Sequence, residues 1–253
     1  MSPRKKKSKD WIGVLLLIVS AAAVLSALGA FLYFKNRSAA PEQFTVVLLD
    51  VTDNLSLTER QAVVNNFEEN VLQAPSNTSF EVFRVQDISG SLLAPVGAAF
   101  TAVQGNTKGN PLVSNPAQQR QKWLKGFKQP LMQALETAMS LGGADRSPIM
   151  ESVQSVVLTT LLKPNAKASP RKLIIVSDLL QHTNEFSFYK AIPDFSSLAI
   201  DPNYGKLKTN LAGVEVELWV LRNHTKDATK LADLWRRIIF DQGGTVTKIV
   251  PIP

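Results

Sequence analysis

The 253-residue sequence contains no cysteine and only two histidines, His182 and His224. The absence of cysteine excludes disulfides, thiolate catalysis and cysteine metal sites. A serine nucleophile would need a neighbouring base such as histidine, and neither histidine lies in a recognisable catalytic motif. The chain also lacks a phosphate-binding glycine motif, because Gly142-Gly143 is not followed by the lysine of a P-loop. These absences predict a protein that is not an enzyme.

The excess of positive charge is confined to the start of the chain. The formal net charge of +7 comes from 28 basic and 21 acidic residues. Five of the basic residues precede residue 11, and Lys35 and Arg37 follow the first apolar run. Residues 41–253 hold 21 basic and 20 acidic residues, so this part is nearly neutral. The basic N-terminus suits a membrane anchor, and no nucleic-acid surface is predicted.

Residues 11–34 read WIGVLLLIVSAAAVLSALGAFLYF and carry no charge. As a helix this run spans about 36 Å, which exceeds a hydrocarbon core of roughly 30 Å. A cleaved signal peptide, with Ser38-Ala39-Ala40 as its cut site, is the alternative, but its apolar core would be only about 7–15 residues long. The basic residues before the run predict a single-pass protein of the inner (plasma) membrane. Its N-terminus would be cytoplasmic and its C-terminal domain periplasmic or extracellular in a bacterium.

After a polar linker at 35–43, residues 44–253 predict one α/β domain. Apolar runs at 44–49 and 172–176 and an alternating run at 214–221 indicate strands, and 245–250 indicates an edge strand. The S-x-x-E pattern of Ser56 to Glu59 predicts a capping box that opens a helix. The alternation of strands and helices predicts a Rossmann-like, mainly parallel sheet with helices on both faces.

Two further helices are predicted before the strand at 172–176. Asn115-Pro116 starts a long helical pattern that runs to about Leu141, and Pro130 is expected to kink or split it. Ser147-Pro148 has the same form of an N-cap followed by a first-turn proline. Residues 181–210 form a long excursion in which Phe186, Phe188 and Tyr189 either contact a partner or pack the loop onto the body.

Polar residues follow two of the predicted strands, where ligands of parallel sheets bind. Asp50-Val51-Thr52-Asp53-Asn54 follows the first strand, Ser147 precedes a later helix, and Ser177-Asp178 follows a central strand. Together these segments resemble the metal-ion-dependent adhesion site of von Willebrand factor A-like domains. The chain departs from that family at Asn54, where the family has serine, and at Leu179, where it has glycine. The stretch Ser177–Gln181 also looks like an S-D-L-L-Q sequence of uncharacterised bacterial proteins.

The resemblance covers most of residues 44–253 and implies a degenerate adhesion site in a membrane-anchored domain. The implied oxygen ligands of Mg²⁺ are Asp50, Thr52, Asn54, Ser147 and Asp178. A carboxylate from another protein would complete the coordination. The implied function is a membrane-tethered protein–protein binding module with a divalent-metal site.

Two alternatives stay open at this point. One is a structural subunit of a membrane complex in which the metal site is vestigial, because Asp50 and Asp178 also suit turns and Ser147 suits a helix cap. The other is a phosphohydrolase with Asp50 as the nucleophile, similar to haloacid-dehalogenase-like phosphatases with their D-x-D-x-T motif. Here Thr52 occupies the place of the second carboxylate, which is displaced to Asp53.

Overall fold

The computed structural model describes residues 41–87, 91–101, 115–140, 143–167, 169–225 and 227–253, together with positions 15, 19, 20, 22 and 24–27. The chain divides into two units, Met1–Ala40 and Pro41–Pro253. Among the described residues, no helix has both the length and the apolar character needed to span a membrane. The predicted anchor at 11–34 falls largely outside the described residues and stays a prediction.

The second unit is built on a six-stranded sheet with the order β3-β2-β1-β4-β5-β6. Its strands are β1 (Gln43–Leu49), β2 (Thr78–Arg84), β3 (Gly97–Thr101), β4 (Arg171–Ser177), β5 (Val214–Leu221) and β6 (Thr245–Ile252). Among the described strands, β3 alone runs antiparallel to its neighbour, and the other four pairings are parallel. The predicted α/β domain with a mainly parallel sheet is confirmed, and the last strand lies at an edge as expected.

Helices fill the connections between the strands. They are α1 (Leu57–Gln73), α2 (Pro116–Trp123), α3 (Gln129–Ser140), α4 (Ile149–Val156), α5 (Pro164–Lys167), α6 (Phe195–Ala199), α7 (Pro202–Leu207) and α8 (Ala228–Asp241). Short π-helical segments at Leu124–Lys128 and Val157–Leu161 follow α2 and α4, and a 3-10 turn covers Arg222–His224. The capping box at the start of α1 is formed, with Ser56 and Glu59 each accepting from the other's backbone N–H.

The first strand is buried on both faces, which explains its continuous apolar sequence. Val46 and Leu48 belong to the hydrophobic cluster that includes α4 and α8. Val47 and Leu49 belong to the cluster that includes α1 and α3. Because the two clusters occupy opposite faces, β1 and its neighbour β4 form the centre of the domain.

The long helical segment from residue 116 is interrupted earlier than predicted. The interruption is the π-helical segment Leu124–Lys128, in which the N–H of Gln129 donates to the carbonyl of Leu124. Pro130 follows as the second residue of α3. Proline has no N–H to donate to the carbonyl of the residue four positions earlier. The π-helical turn, which is wider than an α-helical turn, therefore lies directly before the position at which an α-helical hydrogen bond is missing.

The excursion at 181–210 has more structure than the sequence indicated. It contains α6 and α7, and His182 forms isolated bridges with Ser147 and Ser187. Phe188 is buried and Phe186 packs beside it, with ring centroids 5.3 Å apart. These two aromatics pack the segment onto the body, whereas Tyr189 stays 52% exposed.

Candidate functional site

The parallel pairing of β1 and β4 brings the predicted polar residues to one edge of the sheet. Leu49 pairs with Val176, and the N–H of Asp50 donates to the carbonyl of Val176 at 2.8 Å. The side chains that meet there form the strand-end cluster, which comprises Asp50, Thr52, Ser147, Ser177 and Asp178.

Asp50 is the centre of this cluster and is only 3% exposed. Its Oδ1 accepts from the N–H and the hydroxyl of Thr52, at 3.2 and 2.8 Å. Its Oδ2 accepts from the hydroxyls of Ser147 and Ser177, at 2.7 and 2.8 Å. Four donors of the chain itself therefore satisfy both oxygens of this buried carboxylate.

Asp178 lies beside Asp50 in a different environment. It is 6% exposed, and its Oδ1 accepts from the N–H of Leu180 at 2.9 Å. Burial, and then the negative charge of Asp50, raise the pKa of Asp178 to about 7. The turn is completed by Leu179, which has a φ of 67° and whose carbonyl accepts from the indole N–H of Trp235 at 2.9 Å.

The predicted helix cap at Ser147 is wrong. Helix α4 begins at Ile149, and Pro148 occupies the N-cap position without a side-chain bond. The hydroxyl of Ser147 instead bonds to Asp50, and its backbone forms a two-bond bridge with His182. The capping acceptor is the side chain of Gln181, whose Oε1 accepts from the N–H of Met150 at 2.8 Å.

Four of the five predicted metal ligands come together, and Asn54 does not join them. Asp50, Thr52, Ser147 and Asp178 belong to the strand-end cluster. Asn54 is exposed and forms no hydrogen bond with the cluster among the described residues. The ligand set implied by the resemblance is therefore incomplete in this arrangement.

A second group, which the sequence did not reveal, surrounds His224. Its Nε2 lies 2.9 Å from Oε1 of Glu59, and its Nδ1 lies 3.5 Å from Oδ2 of Asp53. Burial alone would raise the pKa of Glu59, but the hydrogen bonds from Ser56, together with His224, hold that pKa below its usual value. Only the capping-box pattern of Ser56 and Glu59 was visible in the sequence, because His224 comes from the distant turn after β5.

Between these groups lies a shallow depression with a cavity volume of about 0 Å³, lined by Asp50, Thr52, Asp53, Asp178, Leu221 and His224. Its oxygen donors suit Mg²⁺ in kind, but in this structure the hydroxyls of Thr52 and Ser147 bond to Asp50 instead of facing a common centre with it. Both oxygens of Asp50 already accept hydrogen bonds, and the described residues contain no metal-binding group of three or more His, Cys, Asp or Glu side chains. Binding of Mg²⁺ stays a prediction.

At the rim of this edge, Tyr189 packs against His182 with ring centroids 4.9 Å apart. Nδ1 of His182 lies 2.9 Å from the hydroxyl of Ser187. Burial, and then the negative charge of Asp178, raise the pKa of Tyr189 to about 12. The phenol is therefore a neutral group beside the buried carboxylates.

No family model matches the chain, and no curated protein matches it. Similar solved structures include the PilB minor pilin from Streptococcus sanguinis, with 14% identity and a TM-score of 0.44. A single-residue mutant of that pilin has 11% identity and a TM-score of 0.43. Each match covers 85% of this chain and 58% of the pilin chain, so the chain spans less than two thirds of these proteins.

These comparisons correct the predicted resemblance to von Willebrand factor A-like domains. The similar structures are described as minor pilins and not as von Willebrand factor A domains. The metal-dependent binding module implied by that family is withdrawn with it. A likeness of this degree carries no functional argument, so the function follows from the chain's own residues.

Proposed function

We propose that the chain is a non-enzymatic structural subunit of a membrane-associated protein assembly. In this proposal the strand-end cluster stabilises the domain and neither binds a metal nor performs a reaction. The observation that carries the proposal is the fourfold bonding of Asp50 by donors of the chain itself. A buried carboxylate that is fully satisfied internally stabilises a fold and offers nothing to a ligand.

The same bonding argues against the phosphohydrolase alternative. An aspartate nucleophile needs an oxygen that can approach the phosphorus atom, and Asp50 is 3% exposed with both oxygens engaged. The neighbouring acid Asp53 lies 3.5 Å from Nδ1 of His224, and no hydrogen bond joins it to Asp50 among the described residues. The two carboxylates therefore lack the arrangement that this chemistry needs.

The membrane part of the proposal rests on the uncharged run at 11–34 and the basic residues before it. Within the described part of the chain, the strand-end edge offers only a depression with a cavity volume of about 0 Å³, which favours contact with another protein there over binding of a small substrate. The similar solved structures are described as pilins, which agrees with a subunit role but does not carry the proposal.

The test is the size of the full chain in its native membrane. We expect cross-linking in intact cells, followed by mild detergent extraction, to give a species much larger than the 27.7 kDa monomer. The Asp178→Asn variant should give the same species, because the proposal assigns no binding role to this carboxylate. A monomer in both cross-linked and untreated membranes would overturn the proposal.

A further inference from the structure

A cleft lies between helix α8 and the segment that forms α6, and none of its lining residues belongs to the strand-end cluster. Its volume is about 410 Å³, which lies in the range of ligand-binding clefts. Leu234, which is buried, and Pro193 and Phe195, which are partly buried, supply its apolar surface. We call this cleft the helix groove. Its apolar surface suits a large apolar side chain of an incoming segment.

The two elements that form the groove also carry exposed apolar side chains. Ile200 follows α6 directly and is 83% exposed, and Phe240 lies near the end of α8 and is 80% exposed. The hydroxyl of Tyr204 bonds to Asp241 at 2.7 Å, which joins the segment after Ile200 to the end of α8. One exposed apolar residue is ordinary on a protein surface, but two on joined elements beside an apolar cleft favour a contact surface.

Two positive charges line the α8 side of the groove. Lys230 and Arg237 are seven residues apart on α8, so they lie about two turns, or about 10 Å, apart on one side of the helix. Nζ of Lys230 makes one long hydrogen bond, at 3.4 Å, to the carbonyl of Ile192. Arg237 forms no ion pair within the described part of the chain. Both side chains therefore keep donors for a partner.

The acids of the groove do not cancel this charge. Asp233 lies between the two basic residues in sequence but pairs with Arg236 at 3.0 Å. Asp194, at the N-cap position of α6, has no side-chain capping bond. With Arg236 included, three basic residues stand against these two acids, so the surroundings of the groove carry a net positive charge. Such a surface complements an acidic partner.

We propose that the helix groove receives an amphipathic helix of another protein. The helix places a large apolar side chain against Phe195 and Leu234, and two acidic side chains seven residues apart bond to Lys230 and Arg237. In such contacts the apolar anchors supply affinity, and the flanking charges supply selectivity. The inference rests on the proposed function for the class of ligand, because it names a further surface through which the subunit contacts a neighbour.

A second copy of this chain is a poorer occupant than a different protein. Among the described residues, no helix carries two acids seven positions apart. The described helices with more than one acid are α1, with Glu59, Glu68 and Glu69, and α8, with Asp233 and Asp241. Glu68 is also engaged by Lys128. The acidic spacing that the groove requires therefore comes from a different protein.

Two neighbouring serines of α6 allow a matched experiment on the apolar contact. Ser196 and Ser197 are both exposed, but of the two only Ser196 lines the groove. Ser196→Trp should obstruct the groove, whereas Ser197→Trp adds the same side chain one position away. The two variants differ in where the indole is placed and not in its size.

The charges have a matched control as well. The double variant Lys230→Glu, Arg237→Glu reverses the charge of the α8 side of the groove. The double variant Lys125→Glu, Arg120→Glu changes the net charge of the chain by the same amount at exposed positions that do not line the groove. A general electrostatic effect would weaken binding to both double variants, whereas a specific contact is lost only in the first.

The probe is a display library built on a single-helix scaffold with random residues on one face, selected on the full chain in mild detergent. We expect enriched helices to carry two acids seven residues apart with a large apolar residue between them. The best enriched helix should bind Ser196→Trp and the Lys230→Glu, Arg237→Glu variant at least about tenfold more weakly than wild type, a loss of about 1.4 kcal/mol. It should bind both controls like wild type.

Three outcomes would overturn the inference. One is the absence of enriched helices with this pattern, and another is an enriched helix that binds Ser196→Trp as tightly as Ser197→Trp. The third is self-association of the chain that Ser196→Trp abolishes, because a second copy would then occupy the groove.

The size measurement in native membranes separates this inference from the proposed function. If the wild-type chain assembles there but no groove-dependent helix is enriched, the inference fails and the subunit proposal stands. If the wild-type chain is monomeric there, the proposed function fails. Selection on the helix library then decides separately whether the groove binds an acidic helix.

Discussion

The side-chain carbonyl of Gln181 accepts a hydrogen bond from the backbone N–H of Met150 at 2.8 Å and so caps a helix that begins about thirty residues earlier. The amide nitrogen of the same side chain donates to Oε2 of Glu151 at 2.8 Å. Because Gln181 provides the cap, the hydroxyl of Ser147 is left to bond with Asp50. One buried glutamine, which follows Asp178 by three residues, thus holds the start of α4 through both ends of its amide.

Removal of this cap should destabilise the domain. We expect Gln181→Ala to lower the free energy of unfolding by about 1–3 kcal/mol, because it leaves the buried N–H of Met150 without an acceptor. Urea unfolding of the full chain, followed by far-ultraviolet circular dichroism, measures the change. Gln121→Ala, on the exposed surface of α2, is the control and should change the midpoint little. Equal midpoints for both variants would contradict the capping role.

Asp50 should be the most sensitive position of the strand-end cluster. Asp50→Ala removes the acceptor of four hydrogen bonds and leaves the buried hydroxyls of Ser147 and Ser177 with fewer partners. We expect a loss of about 3–5 kcal/mol in unfolding free energy. Thr52→Val, which removes one of the four donors, should cost much less. Denaturant midpoints that leave Asp50→Ala near wild type would argue against a structural role.

Asp178 should make the protein less stable as the pH rises. Its pKa of about 7 in the folded protein lies above the ordinary value of 3.8. Between these values the folded state binds more protons than the unfolded state, so stability falls as the pH rises toward 7. Asp178→Asn, which stays neutral, should therefore gain stability relative to wild type between pH 5 and pH 8. Thermal melts at both pH values test this, with the exposed Asp194→Asn as a control that shows no such trend.

Glu59 should behave in the opposite way. Its pKa in the folded protein lies below 4.5, so the charged side chain stabilises the domain above that pH, and this contribution is lost as the pH falls through the lowered pKa. We expect Glu59→Gln to cost about 1 kcal/mol at pH 7, through the capping box and the contact with His224. The cost should shrink below about pH 4. Glu69→Gln, on the exposed side of α1, serves as the comparison; an equal cost at both pH values would refute the assignment.

Mg²⁺ should leave the melting temperature unchanged. A metal present at about 100 times its dissociation constant would add roughly 2.7 kcal/mol, which for a domain of this size is a shift of several degrees. Four internal donors already satisfy Asp50 and the ion would have to displace them, so melts in chelator and in Mg²⁺ should coincide. A shift in wild type that Asp178→Ala abolishes would restore the metal site and overturn the structural assignment.

The sequence was most informative where local pattern decides structure. The continuous apolar run of β1, the alternation of β5 and the capping box of Ser56 and Glu59 each reflect burial or bonding between near neighbours. Such features depend on period and spacing, which are visible in one dimension. The order of the elements and the mainly parallel sheet followed from them.

The errors occurred where distant residues compete for the same partner. Ser147 has the sequence signature of a cap, yet Gln181 takes the N–H of Met150 and Asp50 takes the Ser147 hydroxyl. His224 meets Glu59 only because the turn after β5 lies beside the start of α1. These choices depend on tertiary contacts, which no local pattern contains.

The pairing of β1 with β4 also constrains the order in which the domain can form. The hydroxyl of Ser177 reaches Asp50 across 127 positions of the chain. During synthesis the central strand therefore has no partner on that side until more than half of the protein has followed it. Such long-range closure slows folding and prolongs the exposure of an apolar strand. We therefore expect the protein to need protection from aggregation most while only its N-terminal half has been synthesised.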